Sequence, residues 1–364
     1  MKSIKLLLAI VLVGIGCALT YHVFENVVHV GIDLIWYDWF NTDTNRLLVI
    51  PLTVSLALAY FGLQHVLDKK SEAHQEHGLG DMPKPTVVSY LKVLLLGFLS
   101  LVAGASLGPE AVLVPACMIL GAMVGTKMFG DARTTKMLIA AAITALFTAF
   151  FHSLLIGVLS VLLVTKQAKT KLSPVILLVA FIASVAAYLT LLIVEGSSYF
   201  VLPEYNWHLG ISTVLVSLCL AAAGYVVIYG MHYLYVVSDK VHVVVREKGW
   251  LINALVASLV LAVLYMIGGP LIEFTGNHSI VPLLDQAETL GLVGLLLVLV
   301  TKVAAMAWSK GIGYRGGMIF PTLFVATVLV AIVQLYVNEF NMVYGLIAVL
   351  VGAFVADHKT HILT

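Results

Sequence analysis

The residues best placed to do chemistry sit in two glycine-rich stretches. In the first, GASLGPEAVLVPACMILGAMVG (Gly104–Gly125), the carboxylate of Glu110 stands by itself: no other residue from Val93 to Thr126 carries a formal charge. It follows Gly-Pro and opens what reads as a helix. The second stretch, GIGYRGGMIFP (Gly311–Pro321), also opens a helix. Glycine before a helix lets the backbone approach a ligand closely. A helix N-terminus presents unpaired N–H groups and about half a positive charge. Two such termini brought together make an anion site with no fixed Lys or Arg. That favours throughput, because a full positive charge in low dielectric holds an anion too tightly to release it. The expected donors are the main-chain groups around Gly108–Ala111 and Gly317–Ile319, which singles out Gly108, Pro109, Ala111, Gly317, Met318 and Ile319. Glu110 is itself an anion. It can take the place of a passing ion, and a proton would release it, so on this reading Glu110 is a gate. The plainer readings are a helix-terminus acid favoured by the macrodipole for Glu110 and close helix packing for Gly316 and Gly317.

Other candidate groups form no convergent set. His74, His77 and Glu72 in SEAHQEHG are candidate metal ligands, but three groups in a polar loop without a fourth read as solvated side chains. No metal or cofactor is expected. The chain has no His-Glu-x-x-His element and no Gly-x-Ser-x-Gly elbow. His152 is a candidate proton group, although a histidine satisfied by a backbone carbonyl is the preferred reading; His358 and His361 are read with the same caution. Cys17, Cys117 and Cys219 all lie in apolar sequence and read as small core residues.

The elements that must position Glu110 are membrane helices. The 364 residues are 61% hydrophobic and only 11% charged, where a soluble domain carries about a quarter charged residues. Mean hydropathy is +1.05. Leu47–Leu67, Met137–Thr165, Leu172–Val194, Gly249–Ile272 and Gly316–Asn338 contain no Asp, Glu, Lys or Arg. Runs near 20 apolar residues span a bilayer as helices, and their continuity argues against barrel strands. The N-terminal MKSIKLLLAIVLVGIGCALT imitates a signal peptide but is read as a retained first helix. Basic loops around Lys69, Lys169 and Arg246 are expected in the cytoplasm, and the loop around Glu204 outside. The aromatics Tyr199, Phe200, Tyr205 and Trp207 suit an interfacial belt. Two halves, 1–200 and 201–364, each carry a glycine-rich helix start followed by a polar interruption, AFFHSLLIG and ADHKTHILT. Inverted repeats with broken helices are a common way to build a midplane site. No basic tract points to nucleic acid.

In combination these residues resemble the CLC family of chloride channels and chloride/proton exchangers. GASLGPEA is similar to the family's Gly-Arg-Glu-Gly-Pro element, whose Glu is the external gate. GGMIFP is similar to its Gly-Gly-x-Phe-x-Pro element, whose backbone amides bind the central anion. FTGNHSIVPLL (Phe274–Leu284), one apolar helix and SKGIGYRGGMIFP follow the family's order, and AFFHSLLIGVL is similar to the segment between the two sites. The resemblance covers nearly the whole chain. It implies an all-α membrane fold, a CLC-like inverted repeat of tilted and broken transmembrane helices, with chloride or another small inorganic anion as substrate. It also implies a homodimer in the lipid bilayer with one pathway per subunit, multi-pass in the plasma (inner) membrane.

The departures from the family pattern carry information too. The Arg of the first element is Pro109 and its Gly-Pro is Ala111-Val112; the Phe of the second is Ile319, with Phe320 one position on. The cytosolic serine has only Ser71 as a weak counterpart. The internal glutamate that passes protons in exchangers is replaced by Leu163, so the resemblance implies conduction without that proton route. The family's late tyrosine has no counterpart before Thr364, which implies a second half incomplete by the family's standard and no cytosolic domain. Three readings are carried forward: an anion pathway gated by Glu110; a proton-coupled antiporter using another internal proton group; and a polytopic membrane protein or intramembrane enzyme without transport.

Overall fold

The computed structural model describes residues 2–68, 85–162, 165, 173–195, 210–337 and 340–362. Leu163, Ser71, Glu72, His74, His77, Tyr199, Phe200, Tyr205 and Trp207 lie outside these described residues. The regular structure of the described chain is helical. Its α-helices are α1 (Lys2–Ile32), α2 (Val49–Asp68), α3 (Val87–Val102), α4 (Glu110–Met128), α5 (Ala132–Phe151), α6 (Leu154–Leu159), α7 (Pro174–Glu195), α8 (Ile211–Glu247), α9 (Trp250–Gly268), α10 (Ile280–Gly311), α11 (Ile319–Gln334) and α12 (Met342–Thr360). Among the described residues nine helices are long and apolar enough to cross a membrane, while α3 and α11 are shorter apolar helices.

The breaks have local causes. Among the described residues the uncharged run Met137–Thr165 is not one helix: it breaks between α5 and α6. His152 takes a left-handed conformation (φ 46°) and caps α5, and Ser153 caps α6 by accepting the Ile156 N–H. Within α10, Gly291 is non-helical at φ 59°, so that element bends there.

The chain forms two compact units that interleave in sequence. One holds residues 1–30, 69–98 and 111–201; the other holds 31–68, 99–110 and 202–364. These units are not the two sequence halves, because segments 31–68 and 99–110 pack with the second half.

Within the first unit small residues let helices approach: Gly14 of α1 lies against Ala183 and Ala186 of α7, and Gly121 of α4 against Leu138 of α5. Interfaces between membrane helices favour such residues, since packing and not water expulsion drives them together. Cys17 and Cys117 are buried side by side. The second unit uses the same device, with Gly224 of α8 on the Val349 backbone of α12 and Gly352 of α12 on the Ala221 backbone. Cys219, on α8, is exposed, which corrects its reading as a core residue: it lines an open apolar groove of about 460 Å³.

Candidate functional site

The two glycine-rich stretches meet. Gly108 and Gly317 form an isolated antiparallel bridge, each donating its N–H to the other's carbonyl at 2.7 Å. All of this lies in the second unit, as do Glu110, the first residue of α4, and the start of α11. The Glu110 side chain turns back onto the bridge. Its Oε1 accepts the Phe320 N–H at 2.6 Å, and the N–H groups of Glu110 itself and of Ile319 also face the carboxylate. Oε2 is buried without a hydrogen-bond partner, and the residue is 4% exposed. The amides at the start of α11 therefore hold a carboxylate, as an unpaired helix N-terminus should. Glycine is required at both bridge positions for room: a Cβ on Gly108 or on Gly317 would overlap the Glu110 carboxylate.

Irregular backbone inside a membrane must be covered by protein partners, and both loops are. Before Glu110, the carbonyls of Val102, Gly104 and Leu107 accept from Trp36 Nε1 (2.9 Å), the Tyr265 hydroxyl (2.5 Å) and the Thr275 hydroxyl (2.9 Å). The Ser106 N–H donates to the Ser309 hydroxyl at 3.1 Å. Before Ile319, the Gly313 carbonyl accepts from the Tyr60 hydroxyl at 3.1 Å, and the Arg315 N–H donates to the Ser100 hydroxyl at 2.8 Å. The Gly316 carbonyl accepts from Lys310 Nζ at 3.4 Å.

A buried polar cluster braces the first loop. The Lys302 ammonium is 0% exposed, donates to the carbonyls of Ile272 (3.1 Å) and Phe274 (2.7 Å), and sits 5.3 Å from the centre of the Phe324 ring. The Ser106 hydroxyl donates to the Phe274 carbonyl at 3.3 Å, and the Phe274 N–H donates to the Tyr265 hydroxyl at 3.1 Å. Arg46 pairs with the buried Glu273 at 2.7 Å. Burial pushes the Glu273 carboxyl up to about 7, against the pull of the Arg46 guanidinium.

Of the residues expected to donate to an anion, Gly108 and Gly317 engage their N–H groups with each other, and Pro109 has no N–H to give. Ala111 is exposed in the first turn of α4; Met318 caps α11; Ile319 faces the carboxylate. Phe320, the closest donor, was not among the expected residues. It stands within the first turn of α11, where every N–H lacks an intrahelical partner, so helix-end logic could have found it. Lys302 and Lys310 were also missed. Lys302 is a lone charge in the apolar run Leu290–Ser309, a signal for a functional or structural role in a membrane. Lys310 overturns the expectation that no lysine lies near the site.

In the first unit the His152 ring lies near a carboxylate. It is half-buried, edge-on to Tyr21, with Nε2 3.7 Å from Glu195, whose other oxygen is 2.7 Å from His22 Nδ1. Burial lowers its pKa, and Glu195 opposes that. His361 caps α12 in a left-handed conformation, and His358 is exposed. No group of three or more metal-ligating side chains converges among the described residues.

A profile of the voltage gated chloride channel family matches residues 62–357. The chain belongs to that family. Family membership places it among multi-pass membrane proteins of anion transport, and the match includes both loops of the site. Solved structures share the fold. A slow cyanobacterial Cl−/H+ antiporter superposes with a TM-score of 0.78 at 16% identity, over 98% of this chain and 95% of that one. A CLC-type fluoride/proton antiporter gives 0.67 at 15% identity over 98% and 86%, and a eukaryotic CLC transporter 0.66 at 14% over 100% and 74%. No curated protein sequence matches the chain. The fold is thus the all-α CLC-type membrane fold of broken helices, and the bridge joins two of its helix breaks.

Proposed function

We propose that this CLC-family chain is a pathway for chloride or a similar small anion, gated by Glu110. The observation that carries the reading is the Glu110 carboxylate seated on the Phe320 N–H, in a place that Gly108 and Gly317 leave open. A carboxylate held by helix-end amides stands in for a monovalent anion held by the same amides. When Glu110 is protonated or swings away, the amides of Met318, Ile319 and Phe320 become the donors for the permeating ion. The roles of Gly108 and Gly317 are to close the bridge and to keep side chains out of that space. The reciprocal bridge is locally two-fold, which is what inverted halves meeting at their equivalent breaks would produce.

Transport without tight proton coupling is the preferred form, because Leu163 carries no proton. Proton-coupled antiport is the second reading, favoured by the His22–Glu195–His152 cluster, with His152 the first group to test. Nothing among the described residues of the site supplies a convergent nucleophile or metal set that would favour an intramembrane enzyme. We further propose a homodimer in the plasma membrane with one pathway per subunit; strictly monomeric protein with intact flux would sink the dimer.

The test is anion efflux from liposomes containing the purified protein, with chloride, nitrate, bromide and fluoride offered separately. Efflux above empty liposomes, abolished or reshaped by substitutions at Glu110 and Gly317, supports the pathway. Absence of efflux for every anion refutes it. Proton uptake in fixed ratio to chloride efflux would select the antiport reading, and loss of that uptake in His152→Asn would assign the proton group.

A further inference from the structure

The last turn of α10 touches both strands of the bridge. The Ser309 hydroxyl accepts the Ser106 N–H at 3.1 Å on the Glu110 side, and the next residue, Lys310, places Nζ 3.4 Å from the Gly316 carbonyl on the α11 side. Gly316 itself packs on Leu107 and the Gly108 carbonyl. The Lys310 ammonium thus sits beside the bridge on which the Glu110 carboxylate rests, and the two charges act on each other through the low dielectric between them. Pro109, immediately before the carboxylate, brings no charge. Part of the Lys310 residue stays accessible, while its ammonium is buried beside the bridge. A helix C-terminus attracts lysine for its own sake, but that attraction needs no contact with the Gly316 carbonyl.

We infer that Lys310 is an affinity-setting residue of the anion pathway: a fixed positive charge, offset from the amide donors of α11, that attracts the permeating anion once Glu110 has left. The inference rests on the proposed anion pathway. The offset matters chemically. An ammonium in direct contact would trap the ion, whereas one whose nearest partner is a backbone carbonyl lends its field and leaves coordination to the amides. Such a charge also disfavours cations at the same place, which gives the pathway its sign of selectivity.

The experiment is chloride efflux from liposomes as a function of internal chloride, for the wild type, Lys310→Gln and Lys310→Arg, each alone and with Glu110→Gln. Gln keeps a donor for the Gly316 carbonyl and removes the charge; Arg keeps both. Lys310→Gln should raise the half-saturating chloride concentration at least tenfold, the factor one unit charge delivers from about 12 Å at an effective dielectric of about 20. Lys310→Arg should stay within about twofold of wild type. The shift should persist beside Glu110→Gln, because the lysine acts on the anion. Lys310→Cys, measured before and after modification with a positively charged methanethiosulfonate, is the second variant, and modification should restore wild-type half-saturation. Normal flux with unchanged half-saturation in Lys310→Gln overturns the role of Lys310 and leaves the pathway standing. So does failure of all three variants to yield monodisperse protein, which would make Lys310 structural. Absence of flux from the wild type and from Glu110→Gln overturns the pathway, and this inference with it.

Discussion

Glu110→Gln tests the gate most directly. In the wild type the ionised carboxylate is buried and accepts the Phe320 N–H at 2.6 Å. A hydrogen bond to a charged acceptor contributes about 1.5–3 kcal/mol and a neutral one about 0.5–1.5 kcal/mol. Replacing carboxylate by amide therefore weakens the closed contact by about 1–1.5 kcal/mol, roughly a fivefold to tenfold loss of closed population. The amide keeps the shape of the side chain, so the structure around it is preserved. The sign with pH follows. Protonation removes the charge, so wild-type flux should rise as external pH falls through the titration of Glu110 and approach the level of the variant. Glu110→Gln should show higher flux at neutral pH, by roughly that factor, and a nearly flat profile. Glu110→Ala should also be flat and leave room for one more anion, visible as increased chloride binding in calorimetry. The measurement is initial chloride efflux from liposomes across a range of external pH. A Glu110→Gln protein that keeps the wild-type pH profile refutes the reasoning and returns Glu110 to a helix-terminus acid.

Other outcomes follow from the same geometry. Gly317→Val places branched carbons where the carboxylate rests, so chloride binding by calorimetry should weaken sharply; unchanged binding would remove this place from the pathway. Lys302→Met strips two charge-assisted hydrogen bonds from the Ile272 and Phe274 carbonyls and should cost about 2–4 kcal/mol, read as a lower thermal midpoint in detergent. An unchanged midpoint would mean the cluster does not brace the loop. His152 is buried enough to lower its pKa below the ordinary 6.5, so its share of stability is intact at neutral pH and is lost as pH falls from there through its folded value. Glu195, Tyr21 and, across the Glu195 carboxylate, His22 face it. His152→Asn suits the left-handed backbone at φ 46° and should flatten that acid loss without lowering stability at neutral pH; an unchanged acid slope would show that His152 is not its source.

Composition and run length establish the solvent and the kind of element. Continuous apolar runs of about 20 residues with 11% charge point to membrane helices, because a helix satisfies its own backbone in lipid and barrel strands would alternate apolar with polar. The sequence also located the two helix starts, since Gly-Pro-Glu and Gly-Gly before apolar sequence are local signals. Tertiary structure decided which amides remain to bind anything. Gly108 and Gly317 looked like donors until their mutual bridge consumed both N–H groups, and the pairing of residues 209 positions apart leaves no trace in either local stretch. The same is true of Phe320, whose N–H meets a carboxylate 210 positions away, and of Lys310, which reaches Gly316 only because α10 ends against the bridge. Periodicity and composition report what a residue does to its own helix. Which donors stay free, and which charges stand beside them, depends on which chain ends are brought face to face, and only the packed fold does that.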